Sequence, residues 1–226
     1  MTEKSALIAG ATGLTGSELV NVLLEDPAYD KVKVLVRRPL AIENPKLEQI
    51  QADFYRLDEY AKHFQVDDVY CCLGTTIKKA GSQKAFRRVD YEYPVAIAEL
   101  AKSAGAKNFL VISAMGADAR SNVFYSRVKG QMEDALKKMG FRALHIFRPS
   151  LLLGERKEFR LGEKAASLLS PVVSPLLRGG MKKYKPIQAE QVAQAMCVAA
   201  GSGKEGVLVH SSDEIAEMAS GKDDIQ

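Results

Sequence analysis

The chain has 226 residues, of which 46% are hydrophobic and 27% charged. These proportions match an average globular protein and exclude disordered, collagenous and coiled-coil chains. At roughly 100–200 residues per domain, the length predicts a single domain over 1–226, and 32 Lys+Arg against 28 Asp+Glu leaves a net charge of +4, too small and dispersed to argue for nucleic acid.

Short apolar runs alternate with longer amphipathic ones. Ser5 to Gly10 reads as a strand ending in glycine, and Leu14 to Glu25 as a helix closed by Asp26-Pro27. Lys31 to Arg37 is a second strand, stopped by Arg38-Pro39, Leu47 to Ala52 a weaker third, and Asp67 to Leu73 a fourth. Gln83 to Gly105 has helical periodicity, with Pro94 kinking it or starting a second helix. Asn108 to Ser113 is a buried strand, Asn122 to Met139 a helix with Gly140 as its stop, and Phe141 to Phe147 the next strand. Beyond it come an apolar run over Phe159 to Gly180 broken by prolines, an extended piece at Tyr184 to Ile187, a helix over Ala189 to Ala200, a strand over Val207 to Ser211 and a short last helix. Strand–helix repetition with near-continuous apolar strands predicts an α/β fold, a doubly wound parallel sheet covered on both faces. The expected layout is a core over 5–150, a small C-terminal substrate lobe over about 150–188, and a closing helix and strand over 189–220.

No run approaches the ~18–20 apolar residues of a membrane span, and the N-terminus lacks the features of a signal peptide. There are three cysteines, and Cys71 and Cys72 are adjacent, which predicts reduced thiols and a cytoplasmic protein. His63, His145 and His210 are isolated and no metal-ligand spacing occurs, so no metal is expected.

The first strand runs into Gly10-Ala11-Thr12-Gly13-Leu14-Thr15-Gly16. Between a first strand and a first helix, such glycines bring backbone N–H groups against a pyrophosphate. Gly10 permits the turn, Gly13 the approach of phosphate, and Gly16 close packing of helix on strand. A plain turn is the alternative. Arg37 and Arg38 stand where an NAD-selective chain usually has a carboxylate, so the expected cofactor is NADP, with NADPH preferred over NADH; two solvated arginines are the bland reading.

Tyr125 and Lys129 form a YxxxK pair. On a helix the two share a face, and the ammonium favours phenolate, bringing the phenol toward a useful acid–base range. Chance gives roughly 0.7 such pairs in a chain of this composition, and Tyr29 with Lys33 is a decoy that runs into a strand. Tyr125 begins a helix soon after the strand that ends in Ser113, whose hydroxyl could help hold one carbonyl oxygen. The loop Leu73-Gly74-Thr75-Thr76 follows another central strand and is expected beside the cofactor. The basic residues Lys78, Lys79, Lys84, Arg87 and Arg88 read as a solvated face.

Taken in order, Gly10-x-x-Gly13-x-x-Gly16, Cys71-Cys-Leu-Gly-Thr-Thr76 with Ala80-Gly81, Val89-Asp90, Ser113 to Ala117, Tyr125-x-x-x-Lys129 and Phe147-Arg-Pro149 resemble the atypical short-chain dehydrogenase/reductases. The similarity is strongest to the HIV Tat-interacting oxidoreductase-like family. That resemblance implies a Rossmann-like fold, NADP(H) binding, and carbonyl reduction in which Tyr125 donates the proton, Lys129 holds the nicotinamide ribose and Ser113 orients the carbonyl. It also implies Asp53 near the adenine, and Leu73, Gly74 and Thr75 near the nicotinamide. Many dehydrogenases of this superfamily place an asparagine on the central helix; here the neighbourhood shows Val89-Asp90.

The leading expectation is an NADPH-dependent reductase of an unidentified carbonyl compound. A cofactor-sensing binding protein is the rival, and a nucleotide-sugar epimerase is disfavoured by the small C-terminal part. The apolar stretch Leu168 to Val173 with Leu176 and Leu177 suits a substrate cover on one side, and a homodimer contact or plain core packing on the other, about equally.

Overall fold

The computed structural model describes residues 4–154 and 184–221. Its strands β1 (Lys4–Ala9), β2 (Tyr29–Val36), β3 (Leu47–Gln51), β4 (Asp68–Cys71), β5 (Asn108–Ile112), β6 (Ala143–Arg148) and β9 (Gly206–Ser211) form one sheet in the order β3-β2-β1-β4-β5-β6-β9. Every neighbouring pair in it is parallel. Two further strands, β7 (Leu152–Leu153) and β8 (Ile187–Gln188), make a separate parallel pair.

Alternation along the strands builds two cores. Ala6 and Ile8 of β1, with Val32, Val34 and Val36 of β2, face α1 (Leu14–Glu25), α6 (Ala189–Gly201) and α7 (Ser212–Ala219). Leu7 and Ala9, with Val69, Cys71, Phe109 and Val111, face α4 (Tyr93–Ser103), α5 (Phe124–Lys137) and a 3-10 helix over Leu57–Phe64. Burying each large apolar side chain contributes about 1.5–3 kcal/mol, so both faces resist separation. This is the Rossmann-like, doubly wound arrangement expected, with its crevice at the carboxyl ends of the strands where the order reverses between β1 and β4.

Strand and helix boundaries fall within a few residues of those expected. The differences are local. Gln83 to Gly105 is broken up: α3 (Gln83–Arg87) passes through a π-helical turn over Arg88–Glu92 into α4, and Pro94 sits in the first turn of α4. A regular α-helix would drive the Pro94 ring against the Asp90 carbonyl, and the widened turn avoids that clash. The short α2 (Ile77–Ala80), capped by the Thr76 hydroxyl, and the 3-10 helix carry too little periodicity to be read from sequence. The proline-broken run and most of the expected small lobe lie outside the described residues.

Candidate functional site

A cleft of about 710 Å³ opens at the carboxyl ends of the strands. Its first wall is the glycine loop. Gly10 has φ +93, and a Cβ there would lie 2.7 Å from the Cys72 carbonyl group, so β1 and β4 approach too closely for any side chain. A Cβ on Gly16 would collide with the Gly10 carbonyl oxygen, which is how α1 lies tight against the strand end. Gly13 N–H donates to Gly10 O at 2.9 Å, closing the turn. Helix α1 then begins with no side-chain cap and no acidic residue in its first turn. Its N-terminal amides and the positive end of its dipole are left for an anion. Gly10, Thr12, Gly13, Leu14 and Thr15 line the cleft, whereas Ala11 and Gly16 pack behind it.

At the β2 end, Arg37 lines the cleft and Asp53, after β3, lies on the same rim; Arg38 is exposed and is not among the lining residues. Phe54, Tyr55 and Tyr93 add aromatic surface, with the Arg88 guanidinium 5.0 Å from the Tyr55 ring centre. Arg87 and Arg88 are thus more than a solvated face: Arg87 stacks 4.2 Å from the Tyr91 ring and donates to Gln131.

The opposite wall brings Leu73, Gly74, Thr75, Ser113, Tyr125 and Lys129 together. Tyr125 opens α5, is 36% exposed, and rests its ring 5.5 Å from that of Phe86. One turn on, the Lys129 side chain is only 4% exposed. Its ammonium lies 2.9 Å from Asp90 Oδ1 and donates to the Ile112 carbonyl at 3.3 Å. Burial works against that charge, but Asp90, then Tyr125, more than offset it and hold the ammonium above the ordinary lysine range. Gly130, next along, lets α5 press onto the loop at Asp118–Ala119, where a Cβ would find no room.

The Ser113 hydroxyl donates to Glu133 Oε1 at 2.6 Å. Glu133 is fully buried and is held by Arg148, whose Nε and Nη2 donate to its two oxygens at 2.9 and 2.5 Å. Asp90, Glu133 and Arg148 were not singled out as site residues. Glu133 stands four residues after Lys129, one more turn along the same face, so the spacing held that signal; the pairing of Asp90 with Lys129 is long-range and had none.

A parallel sheet wound on both faces, with a glycine turn feeding an uncapped helix, defines a dinucleotide-binding α/β protein. The family model described as NAD(P)H-binding matches residues 10–174, and the chain belongs to that family, as an atypical short-chain dehydrogenase/reductase resembling HTATIP2. Protein HTATIP2 of Rattus norvegicus is 43% identical over 167 residues, which are 72% of this chain and 69% of the relative. Protein FMP52, mitochondrial, of Candida albicans is 35% identical over 226 residues, covering 95% of this chain and 98% of that one. The solved structure of MoeE5 in complex with UDP-glucuronic acid and NAD superposes with a TM-score of 0.70 over 96% of this chain and 82% of its own, at 18% identity, a likeness of fold alone.

These relatives overturn one expectation. The cytoplasmic placement does not stand, because FMP52 proteins of Candida albicans, Eremothecium gossypii and Meyerozyma guilliermondii are named mitochondrial. Cys71, Cys72 and Cys197 are free thiols, but a reduced thiol reports redox conditions and not which reducing compartment holds the protein. Among the described residues, no helix is long and apolar enough to cross a membrane and no cluster of three metal-binding side chains occurs.

Proposed function

We propose that this protein is an NADPH-dependent reductase of a small or apolar carbonyl compound. One observation carries the reading: the uncapped N-terminus of α1, the Arg37 rim and the Tyr125–Lys129 pair all face the same cleft. The glycine-loop amides suit a diphosphate, and Arg37 supplies positive charge for a 2′-phosphate where NAD-selective chains have a carboxylate. When bound, the nicotinamide supplies the hydride.

The protein's own groups handle the oxygen. Tyr125 protonates the oxyanion as it develops, and its exposed position lets it reach a substrate. Lys129, buried one turn away, would hold the nicotinamide ribose and keeps positive charge near the phenol. For Ser113 to join Tyr125 on a carbonyl oxygen, its hydrogen must turn away from Glu133. The two Arg148 bonds keep that carboxylate satisfied while it does so.

Calorimetric titration of nucleotide-stripped protein tests the reading. NADPH should bind more tightly than NADH. Equal or tighter binding of NADH removes the preference, and no heat with either dinucleotide overturns the function.

A further inference from the structure

Asp90, in the π-helical turn, is a buried carboxylate beside the candidate site, and its surroundings explain the charge. Oδ2 accepts the Thr75 N–H at 2.9 Å, and Oδ1 lies 2.9 Å from the Lys129 ammonium. Oδ2 is spent on a hydrogen bond, Oδ1 meets the ammonium as an ion pair and has no hydrogen bond of its own, and the side chain is only 1% exposed. An asparagine amide would turn its NH2 group onto one of those donors, so the position requires two acceptors and negative charge. Gly74 lies against the pair, where a Cβ would sit at ordinary contact distance, 3.5 Å from Asp90 Oδ1 and 3.9 Å from Lys129 Nζ.

We propose that Asp90 is a positioning residue of this site: its two carboxylate oxygens lock the Lys129 ammonium to the Thr75 loop and drain its positive field away from the Tyr125 phenol. The groups bearing on that ammonium are Asp90 from the π-helical turn, Tyr125 from its own helix and Cys71 from β4. Burial pushes the Cys71 thiol up to about 11, so it is neutral near pH 7. Around Tyr125, α3 presents the Phe86 ring, while Arg87 and Arg88 are stacked on Tyr91 and Tyr55. Asp90 is therefore the full negative charge against the lysine. In low-dielectric surroundings a contact ion pair acts on a third group as a dipole, whose field falls off faster than that of a bare cation. The pair keeps Lys129 charged and in place at the expense of its pull on the phenol. Tyr125 is thereby kept as a proton donor, the form that carbonyl reduction uses.

The inference rests on the reading of Tyr125 as proton donor, but its test needs neither cofactor nor substrate. Tyrosine labelled with 13C at Cζ reports each phenol's titration in the ligand-free protein, and Tyr125→Phe assigns the signal. Asp90→Asn should lower the Tyr125 midpoint by about one pH unit, a tenfold stronger acid, while Asp90→Glu should stay near wild type. If Asp90→Asn does not fold, Asp90→Ser removes the same charge in a smaller side chain and must give the same shift. An unmoved Tyr125 midpoint in a folded, uncharged variant overturns the proposal. So does a shift of full size in a Lys129→Met background, which would mean that the carboxylate acts on the phenol without the lysine. Failure of the wild type to bind NADPH would overturn the proposed function instead and leave this titration readable.

Discussion

The two ends of the sheet bury charge in contrasting ways. At the amino ends of the strands, Asp68 is fully buried; its Oδ2 accepts from Tyr29 at 2.5 Å and Lys4 at 3.2 Å, and its Oδ1 accepts from Asn108 at 2.6 Å. Lys4 and Asn108 also donate to the Ala200 carbonyl, tying β1 and β5 to the end of α6. This network turns on itself: its members, only partly exposed at Lys4 and Asn108, spend their bonds on one another and on the Ala200 carbonyl, and none lines the cleft. At the carboxyl ends, Asp90 and Glu133 are as deeply buried, but their partners Lys129 and Ser113 also face open volume. Similar chemistry makes a staple where every bond is turned inward and a site where one partner looks out.

Four measurements would break or sharpen that contrast. The largest effect belongs to the open end: Tyr125→Phe should cut turnover of the best carbonyl substrate found by about 10²–10⁴, with the melting temperature and NADPH affinity little changed. Steady-state kinetics beside a thermal melt would show the split. The closed end should behave in the opposite way. Asp68→Ala strands buried donors and should cost about 3–5 kcal/mol, roughly 10 °C in melting temperature, while NADPH affinity stays within about twofold. A large affinity loss there would mean that the ends are coupled.

A third buried group lies between these cases. His145, on β6, contacts His210 on β9 at 3.0 Å through Nδ1, and its buried Nε2 has no hydrogen-bond partner. Burial first, then the neighbouring His210, push its pKa down to about 4. In the unfolded chain it returns to about 6.5, so between those values the unfolded state binds more protons. Its contribution is complete above about pH 6.5 and is lost as pH falls toward 4, on the order of 2 kcal/mol. Urea midpoints at pH 7 and pH 5 should differ accordingly in wild type, and His145→Asn should flatten the difference. The smallest effect is at the rim: Arg37→Ala should weaken NADPH by about 1 kcal/mol, roughly fivefold, and leave NADH unchanged, as read by calorimetry.

Much of the scaffold was legible from the chain. Apolar strands such as Asn108–Ile112 pass through the middle of the sheet and have no polar alternation to obscure them. Gly10 and Gly16 could be assigned roles because each meets a steric demand that a turn of this kind always makes. The environment of the site was not legible. Whether Lys129 is naked or paired depends on a residue from another helix, and whether the Ser113 hydroxyl is committed depends on Glu133 pointing inward. Neither partnership leaves a local periodicity. The strands β7 and β8, of two residues each, are too short for any pattern to show.

The widened turn over Arg88–Glu92 has a consequence for how this chain tolerates insertions and deletions. Tyr93 N–H reaches back to the Arg88 carbonyl, one residue further than in an α-helix. The turn takes up one extra residue, and Phe86 upstream and Ile97 downstream are both fully buried. Removing one residue from it would restore an ordinary winding and leave the helix on either side nearly in phase, because the wide turn does no more than absorb one extra residue. The helix on either side would survive such a loss; what would be rebuilt is the turn itself, and with it the seat of the lysine's counter-ion.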